Sequence, residues 1–303
     1  MINRGQNIGI IGAGGIGALF GSIMQKKGYN VFFLKKSNKD LDKIKYKIKS
    51  NYYGNYKSLL CFDDQKFYNS DVFILITKYP HLKTLKKKLK KIKKYNKPFI
   101  CLMNGLSHID ILNKIFKKNL IIASAGHVVS YKRKKFEIVH SSTTPPEITL
   151  SFKNKKFLKK SFLKQIFKNA KMDVKISLNY KKIVWEKLVR LNSLASLTSL
   201  YNCNLGKIRK SIDKYFNFIE LTKETIQVAQ RDGYKTNLKS VLEKIDKLPD
   251  NLKTSMQRDL TMFRDSEIDT ITGGVLNLGK KYGLSLPYHK LILKKIKTKY
   301  EKS

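Results

Sequence analysis

The residues Ile8-Gly9-Ile10-Ile11-Gly12-Ala13-Gly14-Gly15-Ile16-Gly17-Ala18-Leu19-Phe20 constrain the fold more than any other stretch of this chain. A short β-branched run feeds a Gly-x-Gly-x-x-Gly turn that opens directly into a helix-like segment. Each glycine has a steric task there. Gly12 permits the tight strand-to-helix turn, Gly14 lets backbone N–H groups approach a pyrophosphate, and Gly17 lets the helix pack closely on the strand. The backbone of Gly12, Ala13, Gly14, Gly15, Ile16 and Gly17 would cradle phosphates at the positive end of the helix. A second strand, Asn30-Val31-Phe32-Phe33-Leu34, follows at the right distance. Residues 7–36 therefore read as a dinucleotide-binding βαβ unit.

A membrane helix or signal peptide is the rival for this stretch. Arg4 precedes it, Asn7 to Gln25 carries no charge, and Gly17 and Gly21 form a small-xxx-small pair. Its glycines argue otherwise, since each costs about 1 kcal/mol relative to Ala inside a helix, and they cluster where a turn is needed. No other segment approaches spanning length, so a soluble protein without a membrane partner is expected. Cys61, Cys101 and Cys203 lie far apart with no Cys-x-x-Cys, and the five histidines form no ligand-spaced cluster. These point to a reducing, cytoplasmic setting and to no metal.

A net charge of +41 raises nucleic acid as a partner. The charge comes from 56 Lys and 7 Arg spread through every segment rather than from one basic motif. In the densest run, Leu82 to Lys94, Leu82, Leu85, Leu89 and Ile92 fall on one helical stripe with lysines elsewhere, which is a solvated surface helix. The field favours anionic ligands and nonspecific polyanion contact; specific nucleic-acid binding is not expected.

Strands at Asp71–Thr77 and Pro98–Met103 alternate with helices, giving an α/β fold, a doubly wound Rossmann-type parallel sheet. Between Leu120 and Phe152 short strands (Ile121–Ala123, Phe136–Val139, Ile148–Leu150) suggest a more antiparallel edge, and 155–177 reads as another αβ pair. Past Leu178 apolar residues recur at three and four in 183–202, 212–230, 256–263, 271–279 and 289–298. The expected domains are 1–178, nucleotide-binding, and 179–303, all-helical, with Lys295 to Ser303 solvated or frayed. Ligands of such folds bind beyond the carboxyl ends of the strands.

About 20 residues past the glycine loop, NAD enzymes place an acid on the ribose 2′-OH, whereas NADP enzymes place a cation. Here the strand ends Leu34-Lys35-Lys36-Ser37-Asn38, with no carboxylate before Asp40. NADPH/NADP is favoured, with Lys36 on the 2′-phosphate.

Several separated motifs now agree with one family. Thr77-Lys78, Met103-Asn104-Gly105-Leu106, Trp185-Glu186-Lys187-Leu188, Ser255-Met256-Gln257-Arg258-Asp259 and Ser266-Glu267-Ile268-Asp269 occur in that order. Nearly end to end, the chain resembles the ketopantoate reductases (2-dehydropantoate 2-reductases). The resemblance implies Lys187 as catalytic lysine and Glu267 orienting a substrate hydroxyl or the nicotinamide ribose. It puts Lys78 on the cofactor side, Asn104 between nicotinamide ribose and substrate, and Ser255 on the substrate carboxylate. Without it, Lys187 is a surface lysine, Asn104-Gly105 a turn, Ser255 a helix N-cap, and Glu267 an i,i+3 partner of Arg264. If one helix ran from Ser255 to Glu267, the two would stand about 18 Å apart and serve opposite ends of the bound pair.

One departure bears on substrate. Family asparagines that hold ketopantoate are replaced by Leu191, Ala195 and Leu205, while Asn192, Ser196 and Asn204 lie one position off. A pocket lined by Leu191 and Ala195 would be more apolar. The implied function is NADPH-dependent reduction of a small-molecule 2-keto acid, foremost 2-dehydropantoate to (R)-pantoate in pantothenate and coenzyme A biosynthesis. Its alternatives are a related reductase for a more apolar 2-keto acid and a non-catalytic nucleotide- or polyanion-binding protein. A homodimer is compatible with all three.

Overall fold

The computed structural model describes residues 5–37, 41–152, 154–158 and 161–301; Arg4, Asn38, Asp40 and Ser303 lie outside them. Contacts group the chain into two compact units. The first takes the chain up to Thr77, His81–Met103 and Leu112–Tyr180; the second takes Lys78–Pro80, Asn104–Ile111 and the chain from Lys181 onward.

The first unit is built on β1 (Asn7–Ile11), α1 (Gly15–Lys26) and β2 (Asn30–Phe33), with β1 parallel to β2. Then come β3 (Lys43–Ser50), β4 (Tyr56–Phe62), α2 (Asp64–Tyr68), β5 (Val72–Leu75), α3 (Leu82–Lys93) and β6 (Phe99–Cys101). After α4 (Ser107–Phe116) follow β7 (Leu120–Gly126), β8 (Ser130–Lys134), β9 (Glu137–His140), β10 (Glu147–Phe152), α5 (Lys155–Leu158), α6 (Ser161–Asn169) and β11 (Asp173–Ser177). One sheet runs β11-β10-β7-β6-β5-β1-β2-β4-β3-β9-β8. Its middle, from β7 to β4, is parallel throughout. Every residue of β5 and β6 is buried, as expected for strands covered on both faces. The parallel order reverses at β1, so the switch point lies where β1 and β5 end. α3 buries Leu82, Leu89 and Ile92 and exposes most of its lysines, as its stripe requires.

The sequence reading passed over residues 41–62. There Lys43-Ile44-Lys45-Tyr46-Lys47-Ile48 alternates strictly, turning Tyr46 and Ile48 into the core as β3 of an antiparallel hairpin with β4. The antiparallel additions also divide. β10 pairs with β7, whereas the β8–β9 hairpin joins the far end of the sheet through β3.

Gly12 and Gly17 fix the join between β1 and α1. Gly12 has φ +109, and a Cβ on it would stand 2.2 Å from the Ile76 carbonyl oxygen. A Cβ on Gly17 would stand 1.9 Å from the Gly12 carbonyl oxygen, so any larger residue pushes the helix off the strand. With α1 only 12 residues long, the membrane-helix reading of this stretch does not hold, and no described helix is long and apolar enough to cross a membrane.

The second unit is helical: α7 (Tyr180–Tyr201), α8 (Leu205–Arg209), α9 (Ile212–Arg231), α10 (Leu238–Asp246), α11 (Ser255–Thr261), α12 (Thr272–Lys281) and α13 (Pro287–Glu301). Its core gathers Trp185, Leu188, Leu197, Phe218, Leu221, Val275 and Ile296 among others. α13 continues through Lys295 to Glu301 and buries Ile292 and Ile296, so this stretch is helical rather than frayed, while Lys295, Thr298 and Lys299 are exposed to solvent. α11 and the Glu267 region are not one helix either. Phe263 takes φ 49 and Arg264 N–H returns to the Asp259 carbonyl, closing α11 before Glu267.

Gly17→Ala should cost about 3 kcal/mol, the upper end for overpacking. Gly14→Ala, whose Cβ would meet nothing within 4 Å, should cost less than about 1 kcal/mol, a change of helix cap alone. Urea unfolding of the two variants checks the contrast; equal midpoints would remove the steric argument.

Candidate active site

At the end of β1, Gly14 is the N-cap of α1, which has no side-chain cap and no acid in its first turn. The early N–H groups of α1 are thus left for an anion. The empty space beside Gly14 is where a Cβ would obstruct that approach. The loop therefore fits a dinucleotide pyrophosphate on its own geometry.

The end of β2 corrects part of the sequence reading. Lys36 is exposed there, but the Lys35 ammonium is paired with Asp42. The Lys35 backbone N–H donates to Asp64 Oδ1 at 3.0 Å, and Asp64 is the first residue of α2. Carboxylates that a 20-residue window does not contain are thus delivered to this strand end by the β3–β4 insertion and by α2. The absence of an acid near Leu34 loses its force.

Asn104, Lys187 and Glu267 come together within the second unit. Asn104 follows β6, Lys187 sits in the second turn of α7, and Glu267 lies in the turn that starts α12, its carbonyl accepting from the N–H groups of Thr270 and Ile271. Lys187 Nζ donates to Asn104 Oδ1 at 2.7 Å, and Asn104 Nδ2 donates to Glu267 Oε2 at 2.9 Å. Thr270 holds the Asn104 turn in place, accepting from Leu106 N–H at its carbonyl (3.0 Å) and from Ser107 N–H at its hydroxyl (3.1 Å).

Burial pushes the Lys187 ammonium down to about 8, against the attraction of Glu267, and Arg190 adds a smaller push in the same direction. Burial raises Glu267, while the Asn104 hydrogen bond and Lys187 pull it back. The result is a cation that protonates and deprotonates near neutral pH, joined through one amide to a buried carboxylate. Glu267 accepts a side-chain hydrogen bond from Asn104.

Lys78 stands in the same unit, its Nζ 2.7 Å from Asp259 Oδ1 and 2.7 Å from the Asp265 carbonyl oxygen. Asp259 is raised by burial, with Lys78 acting against it. The motif containing Asp259 was read, yet no role was given to that carboxylate; its sequence signal was an acid four residues after Ser255. Ser255 itself is exposed as the first residue of α11, and the N-cap is Thr254, whose hydroxyl accepts from Gln257 N–H. Among the described residues no group of three or more His, Cys, Asp and Glu could hold a metal.

Of the substituted positions, Ala195 and Leu205 are fully buried in the helical core, and Leu191 is partly exposed. The expectation that Ala195 lines a pocket is not met. Asn192 is spent on Thr225 Oγ1 and His289 Nε2, Ser196 on Thr272 Oγ1, and Asn204 on capping α8.

Residues 8–153 match the family described as "Ketopantoate reductase PanE/ApbA", and residues 179–300 match "Ketopantoate reductase PanE/ApbA C terminal". The chain belongs to the ketopantoate reductase family. A 2-dehydropantoate 2-reductase of Salmonella typhi is 27% identical over 213 residues, 68% of this chain and 67% of its own. A second, from Archaeoglobus fulgidus, is 22% identical over 293 residues, 96% of each chain. Among solved structures, D-mandelate dehydrogenase with NADH and anilino(oxo)acetate has a TM-score of 0.86 at 19% identity, covering 98% of this chain and 99% of its own. The family supports an oxidoreductase.

Glu267→Gln should drive the Lys187 pKa below about 8, because it removes the charge that holds the ammonium up. For stability the sign is opposite to that of a stabilising pair. A lysine lowered from its ordinary value near 10.4 to about 8 weakens the fold below pH 8 and is relieved between pH 8 and 10.4. Lys187→Met should therefore be more stable than the parent at pH 7, with the gap closing above pH 8. Lysine-selective NMR titration and urea unfolding at several pH values read the two effects.

Proposed function

We propose that the chain is an NADPH-dependent 2-keto acid reductase, with 2-dehydropantoate to pantoate as its foremost reaction. The carrying observation is the Lys187–Asn104–Glu267 relay with its ammonium lowered to about 8. The nicotinamide, when bound, supplies hydride to the keto carbon. Lys187 then stabilises the charge gathering on the carbonyl oxygen and gives it a proton, which an ammonium near pH 8 does readily. Asn104 keeps Lys187 aimed. Glu267 keeps the relay electrically balanced and is the acceptor for a substrate or ribose hydroxyl. The glycine loop holds the pyrophosphate and Lys36 is the cation for the cofactor, while Lys78, assigned to the cofactor side by resemblance, is engaged with Asp259 and the Asp265 carbonyl. Ser255, exposed at the start of α11, is assigned to the substrate carboxylate. The free thiols Cys61, Cys101 and Cys203 suit the reducing cytoplasm to which we assign the enzyme, acting as a monomer or homodimer.

A second reading, reduction of a more apolar 2-keto acid, is favoured by α7 itself. Leu191, one turn after Lys187, is partly exposed, while the neighbouring amide and hydroxyl of Asn192 and Ser196 turn into the helical core. NADPH oxidation with ketopantoate and branched or aromatic 2-keto acids separates the readings by which substrate has the highest kcat/KM. No turnover of any keto acid would sink both and leave a nucleotide-binding protein. Lys187→Ala should lower kcat by about two to four orders of magnitude, the range for a positioned proton donor, with NADPH affinity little changed.

Cofactor choice rests on Lys36, which is exposed at the end of β2. NADPH should bind more tightly than NADH in the parent, and Lys36→Ala should shrink that gap by about 1.5–3 kcal/mol if the contact is charge-assisted. Titration of both cofactors by tryptophan or NADPH fluorescence measures it; equal affinities in the parent would overturn the NADPH assignment.

A further inference from the structure

Asp232, the C-cap of α9, collects donors from two other helices. Lys181 Nζ reaches its Oδ1 at 2.7 Å and its carbonyl oxygen at 3.1 Å. The Trp185 indole N–H donates to Oδ2 at 2.7 Å, and the Tyr282 hydroxyl, from the C-cap of α12, donates to Oδ1 at 2.5 Å. The Asp232 side chain is 11% exposed, and Trp185 is fully buried. Two of these three donors belong to the first six residues of α7, the helix that presents Lys187.

The spacing gives this arrangement a consequence. At 100° per residue, Lys187 points about 200° away from Trp185 around α7. Holding the indole on the inner side therefore sets the rotation that turns Lys187 outward to Asn104. The first turn of a helix lacks the backbone bonds that hold its middle, so an outside anchor decides where that turn sits. We infer that Asp232 is a positioning residue for Lys187, fixing the rotation of the start of α7 through Trp185 and Lys181 so that Nζ meets the Asn104 amide. This rests on the reading of Lys187 as proton donor. The bonds that hold Asp232 come from Lys181, Trp185 and Tyr282. Glu267 from the turn before α12 and Arg190 from α7 itself act on Lys187; Lys78 and Asp259 act on Glu267.

Asp232→Asn tests the inference because it keeps the volume and removes one acceptor, leaving a donor against an N–H. The expected result is a fall in kcat of about ten- to a hundredfold, the scale of an ångström-sized misplacement, with cofactor KM unchanged. The Lys187 pKa, read by lysine NMR titration and by the pH limb of kcat, should rise by about one unit toward its ordinary value near 10.4 as water reaches the ammonium. Trp185→Phe keeps an aromatic side chain while removing the N–H and the pyrrole half of the indole from a buried site, and should move both readouts the same way; it carries the test if Asp232→Asn does not fold. Arg209→Ala is the control, since it removes bonds to the Ile245 and Leu248 carbonyls and to Asp250 in the same unit but away from α7. It should lower the melting temperature and leave the Lys187 pKa alone. A lower melting temperature in Asp232→Asn with kcat and the Lys187 pKa both unmoved would overturn the inference. An active Lys187→Ala would instead overturn the proton-donor reading, and the NMR titration would still report whether Asp232 sets the environment of Lys187.

Discussion

The relay depends on the orientation of one amide. Asn104 offers its oxygen to an ammonium and its NH2 to a carboxylate, and the reverse orientation would set like against like on both sides. The two ions therefore determine the amide, and the amide keeps the ions from pairing directly. A direct Lys187–Glu267 pair would lock the ammonium in its charged form. With the amide between them the carboxylate acts at a distance, which is why burial prevails and Lys187 falls to about 8. Three stretches far apart in sequence, 104–107, 187 and 267–270, must meet for this to hold. Thr270 ties the first to the last through its own carbonyl and hydroxyl.

The helix that carries Lys187 is polar where a helix core is usually apolar. Asn192, Ser193, Ser196, Thr198 and Ser199 are fully buried on α7. Each is satisfied: Ser193 by Thr222 at 2.7 Å, Thr198 by Thr254 at 2.9 Å, Ser199 by the Ala195 carbonyl at 2.7 Å. Asn192 donates to His289 Nε2, so the ring proton lies on Nδ1 and goes to Glu224, 2.6 Å away. Burial lowers the His289 pKa from its ordinary value, with Glu224 acting against it. Satisfied polar networks cost little while intact and are expensive to shift by one residue. With Asp232 at one end and this ladder along its length, α7 has little freedom to rotate.

What could be read from sequence was what short periods and local sterics encode. The β1–α1–β2 unit was visible because glycine spacing, strand and helix follow within 30 residues, and α3 was visible from its apolar stripe. Strand β3 carried an equally plain period of two, hidden by Lys43, Lys45, Lys47 and Lys49, which alternate with its apolar residues. The meeting of Asn104, Lys187 and Glu267 was not legible from spacing. It came from family resemblance, since nothing local to residue 104 points to 187 or 267. The break between Ser255 and Glu267 was missed because Phe263 adopts a left-handed conformation that propensity does not announce. Asp64 at the end of β2 was missed because the search for an acid looked along the chain rather than across the sheet.

That last case bears on charge as a guide to ligands. With 63 basic residues against 22 acidic ones, a lysine near any site is expected by chance, and the field draws every anion alike. Discrimination has to come from the scarce carboxylates. Asp42 takes Lys35 away from the end of β2, Asp259 holds Lys78, and Glu267 tunes Lys187 through Asn104. Each subtracts or tempers one specific cation from a uniformly basic background. The acids thus shape the local field at the end of β2 and around Lys187 against a background that is otherwise basic throughout.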